Sequence, residues 1–260
     1  MTTNKNAGSD VSAPLGGQGA SFCLDFGNTR LKLAVFEDDQ LKEVVYLRPD
    51  TLSHLQELLE QWRPGQSILS SVIHHDPELE TLLAAHTRFH RLSNESKLDF
   101  SIPVGKPETV GADRLAVAAA AVYFFPGKNN LAITLGTCIT YNFVNRQHEL
   151  IGGSISPGME MRFRAMHEYT AKLPMAKGDW NVPLIGYDTV TNLQSGVVLG
   201  MAAEIDGIID RYRARFGNFN ALLTGGDSGI LAPHLKNKIF ADPELIFKGL
   251  YAISRVNTAF

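Results

Sequence analysis

The chain has 260 residues, of which 44% are apolar and 20% are charged. This composition is typical of a globular protein and too apolar for a disordered one. The net charge of −3 argues against a broad nucleic-acid-binding face, which needs a surplus of basic residues, and gives no general attraction to anionic membranes. We therefore expect neither a nucleic-acid nor a membrane partner, and an anionic substrate would need a local cationic pocket.

The first twenty residues, MTTNKNAGSDVSAPLGGQGA, are small and polar and lack the apolar centre of a signal peptide. We expect residues 1–20 to form a flexible extension. No apolar run reaches the length of about eighteen residues that a transmembrane helix needs. The only cysteines, Cys23 and Cys138, are not spaced as metal ligands, which fits a reducing compartment and predicts a cytoplasmic protein.

The N-terminal part of the chain alternates between predicted strands and helices. Residues 22–36, FCLDFGNTRLKLAVF, are typical of a strand, a tight polar turn and a second strand. Helical spacing of apolar residues predicts a helix over Thr51–Trp62, and 67–73 is typical of a buried strand. A further helix is predicted from Asp76, its cap. Residues 112–125, ADRLAVAAAAVYFF, predict an alanine-rich helix in close contact with another backbone.

The C-terminal part begins in the same way. Residues 130–144, NLAITLGTCITYNFV, again predict a strand, a Gly-Thr turn and a strand. Gly217 is predicted to end a long helix whose apolar residues recur on one face. The further predictions are helices over 159–170, Thr189–Phe216 and 245–256, and a strand over 221–224 that leads into two glycines.

Each part therefore opens with a hairpin whose turn holds glycine beside a hydroxyl or amide residue. Two halves whose hairpin turns face a shared cleft are the layout of the actin-like sugar kinases. We predict an α/β protein with a duplicated ribonuclease-H-like (actin-like ATPase) fold, the two halves lying around a central cleft. The PGKNN segment after Phe125 is typical of a linker, so the halves are expected to be 21–125 and 126–260.

The first turn carries groups suited to a nucleotide phosphate. Gly27 leaves room for a phosphate to approach backbone N–H groups, and Asn28 and Thr29 add side-chain donors. Lys32 can neutralise phosphate charge, and the carboxylate of Asp25 can hold Mg²⁺ through water. The alternative is an ordinary hairpin turn, since Asn and Gly are the usual turn residues.

Two further segments are suggestive mainly in combination with the first. In LGTCIT, Gly136 and the hydroxyls of Thr137 and Thr140 could hold another phosphate oxygen, although threonine-rich strands are common. In LLTGGD, Gly225 and Gly226 would let a flat ligand such as adenine lie against backbone. The alternative for LLTGGD is a simple turn.

The segment VGADRLA places Asp113 and Arg114 at the start of a helix. An ordinary surface cap would explain the aspartate, because the helix dipole favours an acidic residue there. It would not explain the arginine, because a cation is unfavourable at a helix N-terminus. Arg114 therefore predicts a ligand or a carboxylate partner.

Taken in order, the motifs DxGNTxxK, GADR, GTCxT, GGxIxPG and TGGD resemble the type III pantothenate kinase family, from about Leu24 to the C-terminus. The resemblance implies transfer of the γ-phosphoryl group of ATP to pantothenate, the first step of coenzyme A synthesis. It also implies a homodimer with a shared active site, and Mg²⁺ and a monovalent cation (K⁺ or NH₄⁺) as cofactors. The C-terminal half would carry the dimerisation helices.

The resemblance also assigns roles to residues. Asp113 would be the general base, Asp25 would hold Mg²⁺ through water, and Thr137 would contact ATP from the second hairpin. Thr189 of the partner subunit would reach pantothenate. The remaining ATP-binding residues would be Phe26, Gly27, Asn28, Thr29, Arg30, Leu31, Lys32, Gly225 and Gly226, and the pantothenate pocket would be formed by Val104, Gly111, Ala112, Asp113 and Arg114.

Two positions depart from the family pattern. Thr134 stands where the family usually has an aspartate that helps to bind the monovalent cation, so we expect this cation site to be weakened, relocated or lost. Val104 stands where the family often has tyrosine, so one wall of the substrate pocket is expected to differ.

Two other functions fit the same fold. One is a non-catalytic ATP-binding regulator, and the other is a kinase or phosphatase that acts on a different substrate. Asp25, Lys32 and Asp113 are all present, which favours catalysis, since a decayed site would be expected to lose at least one of them.

Overall fold

The computed structural model describes residues 19–258, so nearly all of the expected extension over 1–20 lies outside the described residues. The first half contributes a five-stranded sheet in which three antiparallel strands are followed by two parallel ones. Its strands are β1 (Ser21–Phe26), β2 (Leu31–Glu37), β3 (Gln40–Tyr46), β4 (Gln66–Ser71) and β5 (Arg88–Arg91), arranged in the order β3-β2-β1-β4-β5.

Alternation along β1 decides which side chains face the cleft. Phe22, Leu24 and Phe26 point to the outer face, where they share a buried cluster with the two surface helices of this half. Cys23 and Asp25 therefore point to the inner face. The register pairs Asp25 with Lys32 on β2 and with Ser70 on β4, so these three polar side chains share the inner face of the sheet.

The second sheet repeats the arrangement of the first. β6 and β7 form an antiparallel hairpin, and β9 runs parallel to β6, just as β4 runs parallel to β1. This repetition confirms the predicted α/β fold, a duplicated actin-like architecture. The strands are β6 (Asn130–Leu135), β7 (Cys138–Val144), β8 (Leu150–Pro157), β9 (Asn220–Thr224) and β10 (Phe240–Ala241), arranged in the order β10-β9-β6-β7-β8.

The helices begin and end close to the predicted positions. Asp76 caps its helix by accepting a hydrogen bond from the backbone N–H of Glu78 at 2.9 Å. Gly217, with φ of +69°, ends the long helix as predicted. The helices are α1 (Thr51–Trp62), α2 (Pro77–His86), α3 (Ala112–Phe124), α4 (Met159–Glu168), α5 (Thr189–Phe216), α6 (Ser228–Leu231) and α7 (Leu245–Asn257), with 3₁₀ turns at Pro107–Thr109 and Ala232–His234.

Two helices lie between the sheets and pack on each other. α3 contacts β6 and β7, whereas α7 contacts β1 and β4, so each helix reaches the sheet of the other half. A Cβ atom on Gly249 of α7 would lie only 1.9 Å from the carbonyl oxygen of Ala116 on α3. This confirms the close backbone contact predicted from the alanines. Because each of these helices packs on the sheet of the other half, the contacts do not mark a boundary between two units. The division of the chain at residue 125 stays a prediction.

The sequence did not reveal the outer strands β3, β5, β8 and β10. They are short or polar, and β8 contains Gly152 and Gly153, so none has the apolar alternation of a half-buried strand. No helix within residues 19–258 is long and apolar enough to cross a membrane.

Candidate active site

The turns of the two central hairpins meet at the cleft. The hydroxyl oxygens of Thr29 and Thr137 lie 3.0 Å apart, although the residues are 108 positions apart in sequence. Each turn is closed by a backbone hydrogen bond, from Gly27 N–H to the Arg30 carbonyl at 3.2 Å and from Gly136 N–H to the Cys138 carbonyl at 3.1 Å. Both predicted phosphate loops therefore face one space.

Asp25 lies at the end of β1 beneath the first turn. Burial and the nearby carboxylate of Asp113 raise its pKa to about 7, while the ammonium of Lys32 acts in the opposite direction. Two carboxylates from different elements thus lie close enough to repel each other. A cation bound near Asp25 and Asp113 would relieve this repulsion.

Asp113 is the second residue of α3 and is half-buried. Burial raises the pKa of its carboxyl, and the backbone N–H and the guanidinium of Arg114 partly offset this effect. Since burial dominates, the ionised carboxylate is a stronger proton acceptor than an exposed aspartate.

The side chain of Arg114 is bonded to the amide of Asn142, and not to a carboxylate, which was one of the two partners that the sequence predicted. Its Nε–H donates to Oδ1 of Asn142 on β7 at 2.6 Å, and Nδ2 of Asn142 donates to Oγ1 of Thr140 at 3.1 Å. Among residues 19–258 Arg114 makes no ion pair with a carboxylate. The charge of the guanidinium therefore remains available to an anionic ligand.

Two glycines keep the second turn in place. A Cβ atom on Gly158 would lie 2.1 Å from the carbonyl oxygen of Gly136, and one on Gly225 would lie 2.2 Å from that of Leu135. Gly225 also has φ of +101°, a region that side chains disfavour. Gly226, in contrast, is exposed and has open space where a Cβ would be. Of the two glycines predicted to face adenine, Gly225 is required for packing and Gly226 borders open space.

The other residues of the first loop differ in what their side chains can reach. Phe26 is fully buried with its ring edge against His75, 5.3 Å between centroids, so only its backbone is available to a nucleotide. Arg30 is exposed and lies over the ring of Tyr46 at 5.2 Å. The loop, including Asn28 and Leu31, borders a depression of about 680 Å³ that is also lined by Tyr46 and Arg48.

Thr134, which occupies the position expected to bind a monovalent cation, lies on the cleft side of the second sheet. Thr134 pairs with Thr140 on β7 and with Thr224 on β9, so the neighbouring side chains on these strands carry neutral hydroxyls. Within residues 19–258, no group of three or more His, Cys, Asp or Glu side chains is arranged to hold a metal ion.

The remaining substrate-binding candidates are dispersed. Gly111 and Ala112 precede Asp113 at the start of α3, and Val104 is half-buried in the segment that leads to this helix. Thr189, the first residue of α5, is exposed and makes no hydrogen bond with α3 in the described part of the chain. One copy of the chain thus brings Asp25, Lys32, Asp113 and both turns together, but not Thr189.

Three polar residues near this cleft were not predicted from the sequence. Asn142 holds Arg114 from the inner face of β7, Ser70 lies beside Asp25 on β4, and Glu244 precedes α7. Ser70 Oγ and Glu244 Oε2 are buried without a hydrogen-bond partner. Period-two alternation would have placed Asn142 and Ser70 on the inner faces of their strands, whereas no sequence pattern signals Glu244.

Comparison with known proteins gives consistent matches over most of the chain. A sequence profile of the family described as type III pantothenate kinase matches residues 21–211. A protein of that description from Christiangramia forsetii is 39% identical over 236 residues, which cover 90% of this chain and 97% of the relative. Another from Flavobacterium johnsoniae is 39% identical over 230 residues, which cover 87% and 94%.

A solved structure is similar in fold. It is a Campylobacter jejuni protein described as a Baf family transcriptional activator, with a TM-score of 0.59 and 20% sequence identity, and the match covers 89% of this chain and 96% of that one. At this level of identity the likeness concerns the fold alone.

Proposed function

Because this chain belongs to the type III pantothenate kinase family, we propose that the cleft between its two hairpins is where ATP and pantothenate react. The activity is ATP-dependent phosphorylation of pantothenate to 4'-phosphopantothenate, the first step of coenzyme A biosynthesis. The observation that best supports this location is the meeting of Thr29 and Thr137 above the neighbouring carboxylates of Asp25 and Asp113.

The first turn is proposed to bind the phosphates of ATP. Backbone N–H groups of 28–30 and the side chains of Asn28 and Thr29 lie beside the open depression, and Lys32 supplies positive charge. Thr137 is proposed to contact the same phosphates from the second half, with adenine near Gly225 and Gly226. Phosphoryl transfer has a loose transition state, so such positioning and charge neutralisation account for most of the catalysis.

Asp113 is proposed to be the general base. Its carboxylate would orient the hydroxyl group of pantothenate and accept the proton as the oxygen attacks the γ-phosphorus. The raised pKa that burial gives this carboxyl supports the assignment, because a base works best when its pKa approaches the working pH.

Arg114 is proposed to pair with the carboxylate of pantothenate. The bond from its Nε–H to Asn142 fixes the plane of the guanidinium, and its terminal N–H groups suit a planar carboxylate. Gly111 and Ala112 would line the same pocket, and Val104 would form a smaller wall than a tyrosine.

Magnesium is proposed to bind at Asp25 through water. The repulsion between Asp25 and Asp113 fits a site that is completed by a cation, and phosphate oxygens and water would supply its other ligands. When bound, Mg²⁺ would neutralise charge on the phosphates. Asp25 itself would hold and orient the hydrated ion.

The monovalent-cation site is proposed to be weakened, relocated or lost, because Thr134 and its neighbours Thr140 and Thr224 offer only neutral oxygens. Activity should therefore persist when K⁺ and NH₄⁺ are replaced by a bulky organic cation. Complete dependence on K⁺ would contradict this proposal.

A homodimer with a shared active site is proposed from an exposed apolar surface at the start of α5. Leu184, Ile185 and Tyr187 are each 82% exposed, and Val190 adds to them beside Thr189. Monomers rarely expose contiguous apolar residues of this kind. Thr189 of the partner subunit would complete the pantothenate pocket. A monomeric mass in sedimentation at micromolar concentration would contradict the dimer.

A cytoplasmic location is proposed from the cysteines. Both are free thiols, and Cys23 is buried, as is usual in a reducing compartment. Reduction with dithiothreitol should leave the activity and the melting temperature unchanged, whereas a loss on reduction would contradict it.

The test of the function is a product assay with Mg-ATP and pantothenate. We expect ADP and phosphorylated pantothenate to appear in equal amounts. ADP formation only with a different alcohol would indicate another substrate, and nucleotide binding without turnover would indicate a regulator of the same fold.

A further inference from the structure

Glu244 is a half-buried residue whose carboxylate has one buried, unsatisfied oxygen. Its Oε2 has no hydrogen-bond partner within the described part of the chain, which is costly for a polar atom removed from water. The residue occupies the N-cap position of α7, yet its side chain makes no capping hydrogen bond. Helix capping therefore does not explain this carboxylate.

The backbone around Glu244 places it where the two halves meet. Asp242 N–H donates to the carbonyl of Leu223 at 2.9 Å, and Thr224 Oγ1 donates to the carbonyl of Pro243 at 3.2 Å, so this segment lies against the end of β9. Directly afterwards α7 packs on β1 and β4 of the first sheet. Glu244 thus stands at the cleft end of α7, facing the first half.

Lys32 is the cation from the first half that acts on Glu244. Burial raises the pKa of Glu244, the charge of Lys32 lowers it, and Asp242 and Lys248 act as smaller influences. Lys248 forms an ion pair with Asp242 at 2.5 Å, so it is already engaged. Lys32 makes no such pair among residues 19–258.

Lys32 lies between three competing groups. Its Nζ is 5.6 Å from the centre of the Tyr46 ring, its strand pairs it with Asp25, and Glu244 attracts it from the other half. A triphosphate entering the cleft would be a fourth and stronger attraction, because it carries several charges.

Building on the proposed role of Lys32 in phosphate binding, we propose that Glu244 is a positioning residue that serves as the counter-ion of Lys32 in the empty cleft. Glu244 competes with the phosphates for the ammonium group and so weakens nucleotide binding. The same competition helps ADP to leave after transfer, because Lys32 has another anion to which it can return.

The inference is tested by measuring ADP binding calorimetrically in the presence of Mg²⁺. Glu244→Gln should bind ADP about 3- to 10-fold more tightly than the wild type, a coupling of the size seen between neighbouring groups. Its KM for ATP should fall by a similar factor. Glu244→Asp, which keeps the charge, should bind within about 2-fold of the wild type.

Two controls separate the possible causes. Glu60→Gln removes one charge from an exposed position on α1 and should leave ADP binding unchanged. In a Lys32→Ala background, Glu244→Gln should change the affinity by less than about 2-fold, because the counter-ion has lost its cation.

Equal or weaker ADP binding by Glu244→Gln, with an unchanged melting temperature, would overturn the inference. An effect that persists in full without Lys32 would also overturn it, because the carboxylate would then repel the phosphates directly. If Lys32→Ala alone left ADP binding unchanged, the proposed phosphate role of Lys32 would be wrong as well.

Discussion

A side chain at Gly111 would displace the carboxylate of Asp113, because a Cβ atom there would lie 2.6 Å from its Oδ1. The φ of −60° at Gly111 is one that any residue adopts, so the restriction comes from the carboxylate and not from the backbone. Glycine at this position thus lets the Asp113 side chain fold back over the start of α3.

Gly111→Ala should therefore lower kcat by displacing the Asp113 carboxylate. A shift of about 1 Å at a reacting group can reduce the rate about 100-fold, and we expect a loss of at least about 10-fold. ADP affinity should not change, because the hairpin turns are untouched. Gly105→Ala is the matched control, since no atom lies within 4 Å of its added Cβ, and it should keep the wild-type kcat. Equal activities of the two variants would show that Gly111 does not position the base.

Arg114→Lys should weaken pantothenate binding selectively. Lysine keeps the charge but loses the bond to Asn142 and the forked geometry that matches a carboxylate. A hydrogen bond to a charged group contributes about 1.5–3 kcal/mol, so KM for pantothenate should rise roughly 10- to 100-fold. KM for ATP should stay within about 2-fold. Steady-state kinetics with each substrate varied in turn measures both values, and an equal rise in the two would contradict the role.

Thr137→Val should weaken ATP binding with little effect on folding. Thr137 is exposed, and within residues 19–258 its hydroxyl is bonded only to that of Thr29, so its loss should cost less than about 1 kcal/mol of stability. If the hydroxyl contacts the phosphates, KM for ATP should rise about 10-fold. Thr81→Val, which changes an exposed threonine of α2, should leave KM for ATP unchanged. An unaltered KM for ATP in Thr137→Val would show that the hydroxyl of the second turn does not contact the phosphates.

The sequence predicted well those parts of the fold that carry strong local signals. α1 and α5 begin and end where the apolar spacing and the cap residues placed them, and the hairpins of both halves were found from their Gly-containing turns. The outer strands β3, β5, β8 and β10 were missed because their sequences are short or polar and lack the apolar alternation that predicts a strand. The packing of α7 on the first sheet was not predictable either, since it joins residues more than 150 positions apart.

The site was predictable only in part for a similar reason. Asp25, Lys32 and Asp113 belong to contiguous motifs, so the sequence identified them before their contacts were known. Asn142 accepts a hydrogen bond from Arg114, and Glu244 is influenced by the charge of Lys32 in the other half. Alternation along β7 would have placed Asn142 on the inner face, but nothing near Glu244 in the chain marks it. The neighbours of Asn142 and Glu244 come together only when the second sheet and α7 have folded against the first half.

Asp25→Asn should stabilise the ligand-free protein increasingly as the pH rises. The pKa of Asp25 is raised from 3.8 to about 7 in the folded state, so the folded protein binds the proton more tightly than the unfolded chain. The stability that this group contributes is complete below pH 4 and is lost as the pH rises through 7. Asparagine stays neutral and avoids this loss.

Melting curves at several pH values without Mg²⁺ measure the effect. The advantage of Asp25→Asn over the wild type should be roughly 5–10 °C larger at pH 8 than at pH 5. Asp99→Asn, an exposed position, should show no such trend. A difference that is constant across this range would mean that Asp25 titrates like an exposed aspartate.

The most direct test of the account is single-turnover phosphorylation of pantothenate by Asp113→Asn, with ADP affinity measured on the same sample. We expect phosphopantothenate formation to slow by about 10²- to 10⁴-fold while ADP binding and the melting temperature stay close to those of the wild type. A wild-type rate in this variant would show that Asp113 is not the base and would contradict the proposed site.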